Sequence, residues 1–203
     1  MRNPFFKKIN NVEINDILKC IGQKKSKNNF KVNDISDLES ASKNDISFFH
    51  TRKYFEKLKN TKSRLVITNE KLKTIVPKSI RIILVSNVLL TTAKVTSLFY
   101  PDALEDTFDD DVFPINKKKF KGIRFGNNVL LGKNVKIGKN CSIGHNTIIE
   151  HNVTIGDSCK IGNNVLIKNC MIGSNTNILD GAIVGKKGFG FFPGKKNIRY
   201  PHI

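Results

Sequence analysis

An apolar residue recurs at every sixth position through the second half of this 203-residue chain, and this repeat constrains the fold more than any other feature. The series runs from Phe125 to Val184 and loses one position near Cys170. Its members are Phe125, Leu131, Ile137, Ile143, Ile149, Ile155, Ile161, Ile167, Ile172, Ile178 and Val184. A fixed short period of this kind is typical of solenoids, in which each repeat packs only against its neighbours.

Two other positions of each hexad also keep their residue type. Glycine usually follows the apolar residue, and a small or β-branched residue stands four positions after it. The small residues are Val129, Val135, Cys141, Thr147, Val153, Cys159, Val165, Thr176 and Ala182. We expect each hexad to form a short strand and a corner, with three hexads in one triangular coil and both residue types directed inward. An antiparallel meander would instead alternate with period two.

Glycine and asparagine are expected at the corners of the coil, because both tolerate positive φ at low cost. The asparagines that fit this role are Asn127, Asn128, Asn134, Asn140, Asn146 and Asn152. Cys141 and Cys159 stand one coil apart, which would bring them within reach of a disulfide. The four cysteines form no disulfide framework or metal-binding spacing, so a reducing compartment is expected, and for that reason we favour two small buried residues in a ladder.

Residues 1–100 lack the hexad period and instead alternate between helical and strand patterns. Ile14, Ile17, Leu18 and Ile21 have helical spacing, and Gly22 follows as a stop signal. We expect further helices over 52–60 and 90–100 and strands over 45–50, 64–68 and 80–86. This pattern predicts a small α/β domain. The acidic and then basic stretch over 102–121 is interpreted as a linker or domain seam.

The formal net charge of +18 permits two interpretations. One is a polyanionic partner such as nucleic acid, anionic lipid or an acidic protein. Compositional bias toward lysine is favoured, because the lysines are scattered and no aromatic residues are interleaved with them to stack bases. The chain has no apolar run of about 18 residues and no secretory signal, so neither a membrane span nor export is expected.

The segment at 46–54, ISFFHTRKY, carries a resemblance to a known family. A small α/β domain followed by a β-helix resembles the UDP-3-O-(3-hydroxyacyl)glucosamine N-acyltransferases, and this segment is similar to their uridine-binding segment. The resemblance implies that Phe48 and Tyr54 hold the uracil ring between them. Thr51 stands where the family often has an asparagine that reads the edge of the base. The alternative is that Phe48 and Tyr54 are core aromatics.

A second stretch over 185–191, GKKGFGF, resembles the Gly-Phe-Gly loop that projects toward the substrate in this family. The resemblance implies substrate contacts for Gly188, Phe189, Gly190 and Phe191. Three glycines around exposed aromatics also permit close backbone approach to a ligand. The segment over 200–203 is similar to the point where family members return to the β-helix.

The resemblance implies a fold and three segments. The fold would be a small α/β N-terminal domain followed by a left-handed parallel β-helix, apparently truncated at its C-terminus. An α/β uridine-nucleotide-binding domain would cover 1–101, a linker 102–122 and an incomplete β-helix 123–203.

The activity implied is transfer of a 3-hydroxyacyl chain from acyl carrier protein to the 2-amino group of UDP-3-O-(3-hydroxyacyl)glucosamine in lipid A biosynthesis. We expect a cytoplasmic homotrimer that uses no cofactor or metal, contacts no nucleic acid and spans no membrane.

No catalytic residue is assigned within this chain. The resemblance places the general-base histidine of the family beyond Ile203, in an Ile-Ala-His-Asn segment. His50, His145, His151 and His202 do not lie in such a motif, and His145 and His151 are expected at solvated corners. Two alternatives stay open: a non-catalytic β-helical scaffold or binding module, and another hexapeptide O-acyltransferase. The long leading domain argues against the second, and uridine-nucleotide binding would exclude the first.

Overall fold

The computed structural model describes residues 3–116, 119–188, 190–192 and 198–199. They form two compact units. The α/β unit contains Phe6–Leu104 and the described residues of Phe189–Ile203, and the β-helix unit contains Glu105–Gly188 with the described residues of Met1–Phe5.

The α/β unit is built around a parallel three-stranded sheet. Its elements, in chain order, are β1 (Val12–Glu13), α1 (Ile14–Cys20), β2 (Lys31–Val32), β3 (Ile46–Phe48), α2 (Phe55–Asn60), β4 (Leu65–Thr68), β5 (Arg81–Leu84) and α3 (Val88–Phe99). The sheet has the order β3-β4-β5, and β1 pairs antiparallel with β2. Short 3-10 helices at Arg52–Tyr54, Lys73–Ile75 and Pro101–Leu104 complete the connections. The helices and strands expected from the sequence are confirmed.

Alternate residues of the sheet face two separate cores, as the period of two in a strand requires. Ile46, Leu65, Ile67 and Ile83 pack in one cluster with residues of α1 and α3. The other face contributes to a second cluster that contains Phe49, Leu58, Val66, Leu72 and Val76. Both faces of the parallel sheet are therefore covered, which leaves its edges as the accessible places.

The β-helix unit contains eleven two-residue strands in its repeat. They are β7 (Arg124–Phe125), β8 (Leu130–Leu131), β9 (Lys136–Ile137), β10 (Ser142–Ile143), β11 (Ile148–Ile149), β12 (Thr154–Ile155), β13 (Lys160–Ile161), β14 (Leu166–Ile167), β15 (Met171–Ile172), β16 (Asn177–Ile178) and β17 (Ile183–Val184). The second residue of every one of these strands is a member of the predicted apolar series. The hexad prediction is therefore confirmed in its phase as well as its period.

The strands stack into three parallel sheets, of order β7-β10-β13-β16, β8-β11-β14-β17 and β9-β12-β15. Every third strand is a neighbour, so that Ile143 pairs with Ile161 one coil later. The inward side chains form a single core, in which Val153, Cys159 and Ile167 have no exposed surface. Three hexads thus make one coil, as predicted.

The expectation that asparagine and glycine supply positive φ at the corners is confirmed for most of the named asparagines and for Gly181, but not for the glycines that follow the apolar residue. The positive φ of 48–60° belongs to residues that precede the small inward residue: Asn128, Asn134, Asn140, Asn146, Asn152, Ser158, Asn164, Asn169 and Asn175. Asn127 is not among them. Most glycines after the apolar residue are required by space, since a Cβ on Gly126, Gly144 or Gly162 would lie less than 3.0 Å from backbone of the next coil. Gly173 is an exception, because a Cβ there would meet nothing within 4 Å.

Cys141 and Cys159 are both free and buried, as the favoured interpretation predicted. The Cys141 thiol donates to the carbonyl of Gly156 over 3.1 Å, and the Cys159 thiol to that of Gly173 over the same distance. The Cys159 N–H in turn donates to Cys141 Sγ over 3.4 Å. The two thiols thus satisfy backbone carbonyls in a ladder through the coil interior.

The segment expected to be a linker contains ordered structure. Strand β6 (Phe113–Pro114) pairs antiparallel with β8 and so covers the first edge of one β-helix sheet. Upstream of it, Asp106 and Asp109 make ion pairs with residues of the coils. Covering an exposed sheet edge in this way protects it from pairing with another chain.

Candidate functional site

The carboxyl ends of β3, β4 and β5 meet at one edge of the parallel sheet. Ligands of open parallel sheets bind outside this edge, because the loops there diverge and leave space. A cavity of about 440 Å³ lies at the ends of β4 and β5. Its lining residues are Asn69, Glu70, Lys71, Leu84, Val85 and Ser86.

Three aromatic rings lie at the carboxyl end of β3, and we call them the ring cluster: Phe48, His50 and Tyr54. The Phe48 and His50 ring centroids are 6.3 Å apart, with 28° between the planes. The His50 and Tyr54 centroids are 5.4 Å apart, with 55° between the planes. The fold therefore brings Phe48 and Tyr54 to the same imidazole, a residue that the sequence interpretation did not include in the site.

Phe48 and Tyr54 are each half-buried and pack against different cores. Phe48 contacts the α1 and α3 cluster, and Tyr54 contacts the cluster on the other face. The rings therefore contribute to packing and still keep exposed surface at the sheet edge. The core interpretation of these aromatics and the binding interpretation are both compatible with this placement, so the uracil-binding role stays a prediction.

Thr51 and His50 differ in how their polar atoms are used. Thr51 is the N-cap of the Arg52–Tyr54 turn, where its hydroxyl accepts from the Lys53 N–H over 3.5 Å. His50 Nδ1 is buried and has no hydrogen-bond partner among the described residues. A buried polar atom without a partner is uncommon, because it forgoes hydration without compensation.

The glycine-rich loop leaves the coils at Gly185, which has φ of +79°. A side chain there would collide with the Lys168 carbonyl, so the position requires glycine. Gly188 is exposed and Gly190 half-buried. Phe191 is 38% exposed and opens strand β18 (Phe191–Phe192), which pairs antiparallel with β19 (Ile198–Arg199). Phe189, also predicted to contact substrate, and the segment over 200–203 lie outside the described residues.

A buried ion cluster, absent from the sequence interpretation, lies on the β-helix. Lys168 Nζ is 3.1 Å from Asp106 Oδ1 and 3.5 Å from Glu150 Oε1, and it donates to the Thr107 carbonyl over 3.0 Å. The Lys168 and Glu150 side chains are each only 7% exposed. The segment before β6 contributes to this burial, because Asp106 and Thr107 both contact Lys168.

His151 also contacts the segment before β6, which corrects the expectation of a solvated corner residue. Its Nδ1 is 2.9 Å from Asp109 Oδ2, and its Nε2 is 3.2 Å from the Phe5 carbonyl. Burial alone would lower the pKa of His151, but the contacts with Phe5 and Asp109 outweigh it and raise that pKa. The pKa of Asp109 is lowered despite its burial, because N–H groups of Asp111 and His151 donate to its carboxylate.

This geometry determines what His151 can do chemically. Both ring nitrogens face oxygen acceptors, which favours the protonated imidazole and leaves neither nitrogen directed at a substrate. His145 is exposed, as expected, and its Nδ1 accepts from the Asn127 N–H over 2.9 Å. Neither histidine of the coils therefore has the arrangement of a catalytic base.

A second cavity in the α/β unit, of about 450 Å³, lies at the opposite, amino edge of the sheet. Four cationic side chains line it, Lys31, Lys43, Arg64 and Arg81, together with the carboxylate of Asp45. Its charge suits anionic groups.

Within the described residues, no cluster of three or more His, Cys, Asp or Glu side chains has the arrangement of a metal site. The helices in the described ranges are all too short or too polar to cross a membrane.

Comparison with known proteins relates both parts of the chain to characterised families. Residues 29–98 match the family described as UDP-3-O-(3-hydroxymyristoyl) glucosamine N-acyltransferase, LpxD, and residues 122–188 match the GMPPB C-terminal domain. A UDP-3-O-acylglucosamine N-acyltransferase of Helicobacter pylori strain HPAG1 is 36% identical over 172 residues, covering 81% of this chain and 48% of the relative. UDP-3-O-acylglucosamine N-acyltransferase 2 of Legionella pneumophila strain Paris is 42% identical over 164 residues, covering 80% of this chain and 48% of the relative.

The chain thus spans about half the length of the curated relatives it matches. The match includes the segment that carries the ring cluster and continues into the coils. The α/β domain thus matches the UDP-3-O-acylglucosamine N-acyltransferase family, and the similarity to curated members of that family extends over about four fifths of this chain, from the α/β domain into the repeat.

Proposed function

We propose that this chain binds the uridine end of UDP-3-O-(3-hydroxyacyl)glucosamine and serves in acylation of its 2-amino group during lipid A biosynthesis. The observation that carries the proposal is the ring cluster at the carboxyl edge of the sheet, inside the segment that matches the family. Half-buried aromatic rings at that edge offer stacking surfaces for a flat base.

The charges around the rings support a nucleoside diphosphate ligand. Arg52 and Lys53 are exposed in the turn that leads to Tyr54, and Lys57 Nζ lies 5.6 Å from the Tyr54 ring centroid. Cations beside a base-stacking surface suit phosphate groups attached to the base through ribose. We place the uracil against Phe48 and Tyr54 and the diphosphate toward these cations.

The reaction proposed is attack of the 2-amino nitrogen on the thioester carbonyl of 3-hydroxyacyl-acyl carrier protein. A C–N bond forms, the C–S bond breaks, and the carrier thiol leaves as the amine loses a proton to a general base. Backbone N–H groups would stabilise the oxyanion of the intermediate. Neither His145 nor His151 suits the role of base, because one ring nitrogen of His145 and both ring nitrogens of His151 are engaged within the β-helix unit.

Further features of the family are proposals for this chain. The loop carrying Gly188, Phe189, Gly190 and Phe191 is proposed to contact substrate, and a left-handed coil, a cytoplasmic location and a homotrimer are proposed with it. The exposed apolar side chains of Met171, Leu179 and Ile183 on the coils support assembly with other copies. The net charge of +18 supports an acidic carrier protein as donor.

Isothermal titration of the chain with UMP and UDP tests the binding step. Phe48→Leu and Tyr54→Leu should each weaken binding by about 5- to 100-fold, since a stacked base contributes on the order of 1–3 kcal/mol. Phe108→Leu is the matched control, because Phe108 is 79% exposed and belongs to the β-helix unit. No binding of either nucleotide, or equal loss in all three variants, would refute the proposal.

A non-catalytic binding module is the second candidate, favoured by the engagement of both described coil histidines. Incubating the chain with UDP-3-O-(3-hydroxyacyl)glucosamine and acyl-acyl carrier protein separates the two. Release of the carrier thiol supports transfer by this chain. Nucleotide binding without thiol release supports the module.

A further inference from the structure

We infer that His50 reads the Watson–Crick edge of the bound pyrimidine, in place of residue 51. This inference rests on the proposed uridine-binding function and adds to it the residue that recognises the base. Three observations on the α/β unit carry it: the position of the imidazole, its unpaired nitrogen and the existing use of the Thr51 hydroxyl.

The position of His50 follows directly from the fold. The residue stands two positions after the end of β3, where the chain turns from the sheet toward the Arg52–Tyr54 helix. Its ring is half-buried and lies within stacking range of both Phe48 and Tyr54. A base that stacks on either of these rings would therefore lie beside the imidazole.

The hydrogen-bonding state of His50 indicates a missing partner. Nδ1 is shielded from water and has no acceptor or donor among the described residues. Such an atom costs about as much as a lost hydrogen bond until a partner arrives. A modest turn about the Cβ–Cγ bond, which has a broad torsional preference, would present Nδ1 to a base at the sheet edge.

The chemistry of the two groups is complementary. A neutral imidazole carries one N–H donor and one acceptor nitrogen, and the uracil edge offers an N–H between two carbonyl oxygens. The Thr51 hydroxyl already accepts from the Lys53 N–H and is fixed by that turn. Thr51 keeps only its O–H donor for a further partner, whereas His50 has a buried nitrogen with no partner among the described residues and can offer the base both a donor and an acceptor.

The contact between His50 and the base edge is tested by a thermodynamic cycle that combines one substitution in the protein with one change in the ligand. UMP and N3-methyl-UMP are titrated against the chain and against His50→Ala. Methylation blocks the Watson–Crick edge, so it should weaken binding to the unsubstituted chain by about tenfold. In His50→Ala the methylation penalty should fall below about threefold, because the partner is gone.

Two more variants exclude a merely structural effect. His50→Asn, whose amide has both donor and acceptor, should restore part of the methylation penalty, and His50→Phe, which keeps a ring without nitrogen, should not. His145→Ala is the control, because this histidine is exposed on the β-helix unit. If His50→Ala proves unstable, the comparison of His50→Phe with His50→Asn decides the question.

The possible outcomes distinguish failure of this inference from failure of the proposed uridine-binding function on which it rests. If the unsubstituted chain binds neither UMP nor UDP, the proposed function fails and this inference with it. If UMP binds and the methylation penalty survives in His50→Ala and His50→Phe, the inference alone is overturned. Loss of the penalty in Thr51→Val but not in the His50 variants would assign the base edge to residue 51.

Discussion

Gly144 and Gly173 follow an apolar strand residue in equivalent hexads, yet alanine should have opposite effects at the two positions. A Cβ on Gly144 would lie 2.6 Å from Asn163 N and nearer still to the Gly162 carbonyl group. A Cβ on Gly173 would meet nothing within 4 Å. The two substitutions are chemically identical and differ only in what the next coil places there.

The magnitude follows from the coil spacing. Carbon contacts need about 3.5 Å, so the coils would have to separate by roughly 1 Å next to Gly144. The hydrogen bonds from Ser142 N to Cys159 O and from Gly144 N to Ile161 O, both 2.9 Å, would then be too long. Overpacking and two weakened hydrogen bonds together give a destabilisation of about 2–4 kcal/mol. Gly173→Ala should stabilise by about 0.4–1 kcal/mol through the unfolded state.

Thiol labelling measures the opening of the β-helix separately from the α/β unit. In a Cys20→Ser, Cys170→Ser background the remaining thiols are Cys141 and Cys159, which are buried in the coil. Burial raises the pKa of the Cys141 thiol, so the closed state reacts slowly. Gly144→Ala should speed labelling by roughly 30-fold to several hundredfold, and Gly173→Ala should leave it equal or slower.

Equal labelling rates in the two alanine variants would refute the reasoning. Such a result would mean that the glycine at this hexad position is retained for backbone freedom and not for the close approach of coils.

Three further predictions concern the β-helix unit. Asn164→Ala should destabilise it by about 1–2 kcal/mol in the thiol assay, because the φ of +54° strains alanine, and Asn164→Gly should not. Lys168→Met should cost about 3–5 kcal/mol by leaving Glu150 buried without a cation, and an added Glu150→Leu should recover most of it; a full loss in the double variant would contradict this. Because the pKa of His151 is raised, its contribution to stability is complete below the ordinary histidine pKa and is lost as pH rises through the raised value. Hydrogen exchange at the His151 N–H, which donates to Asp109 Oδ2 over 2.8 Å, should therefore lose protection as pH rises through the raised pKa, and His151→Gln should abolish that pH dependence.

The sequence predicts the coils in detail because their determinants are local. Each strand, corner and inward residue is decided within six positions, so Ile143 and Asn146 reveal their places without knowledge of distant residues. The helices and strands of the α/β unit were predicted for the same reason. The role of Gly144 was predicted wrongly, because the residue it packs against in the next coil, Gly162, is eighteen positions away in the chain.

The candidate site could be predicted only in part. The sequence segment around Phe48 and Tyr54 indicated the rings, but the burial of His50 Nδ1 depends on packing from several elements. The surroundings of His151 depend on Phe5 and Asp109, which are 146 and 42 residues distant. A corner position in a hexad predicts an exposed side chain only where no other segment of the chain covers that corner.

The shortened unit between Ile167 and Ile172 shows where this architecture absorbs changes in chain length. Ile155 still pairs with Ile172, so the lost residue leaves the strand ladder in step. The omission falls at a corner, where Asn169 has φ of +48°, and the glycine-rich loop also departs from a corner with positive φ, at Gly185. Insertions and deletions at corners therefore leave the packing of the core unchanged. Relatives of this chain should be aligned strand by strand, with gaps placed only at the corners of the triangular coil.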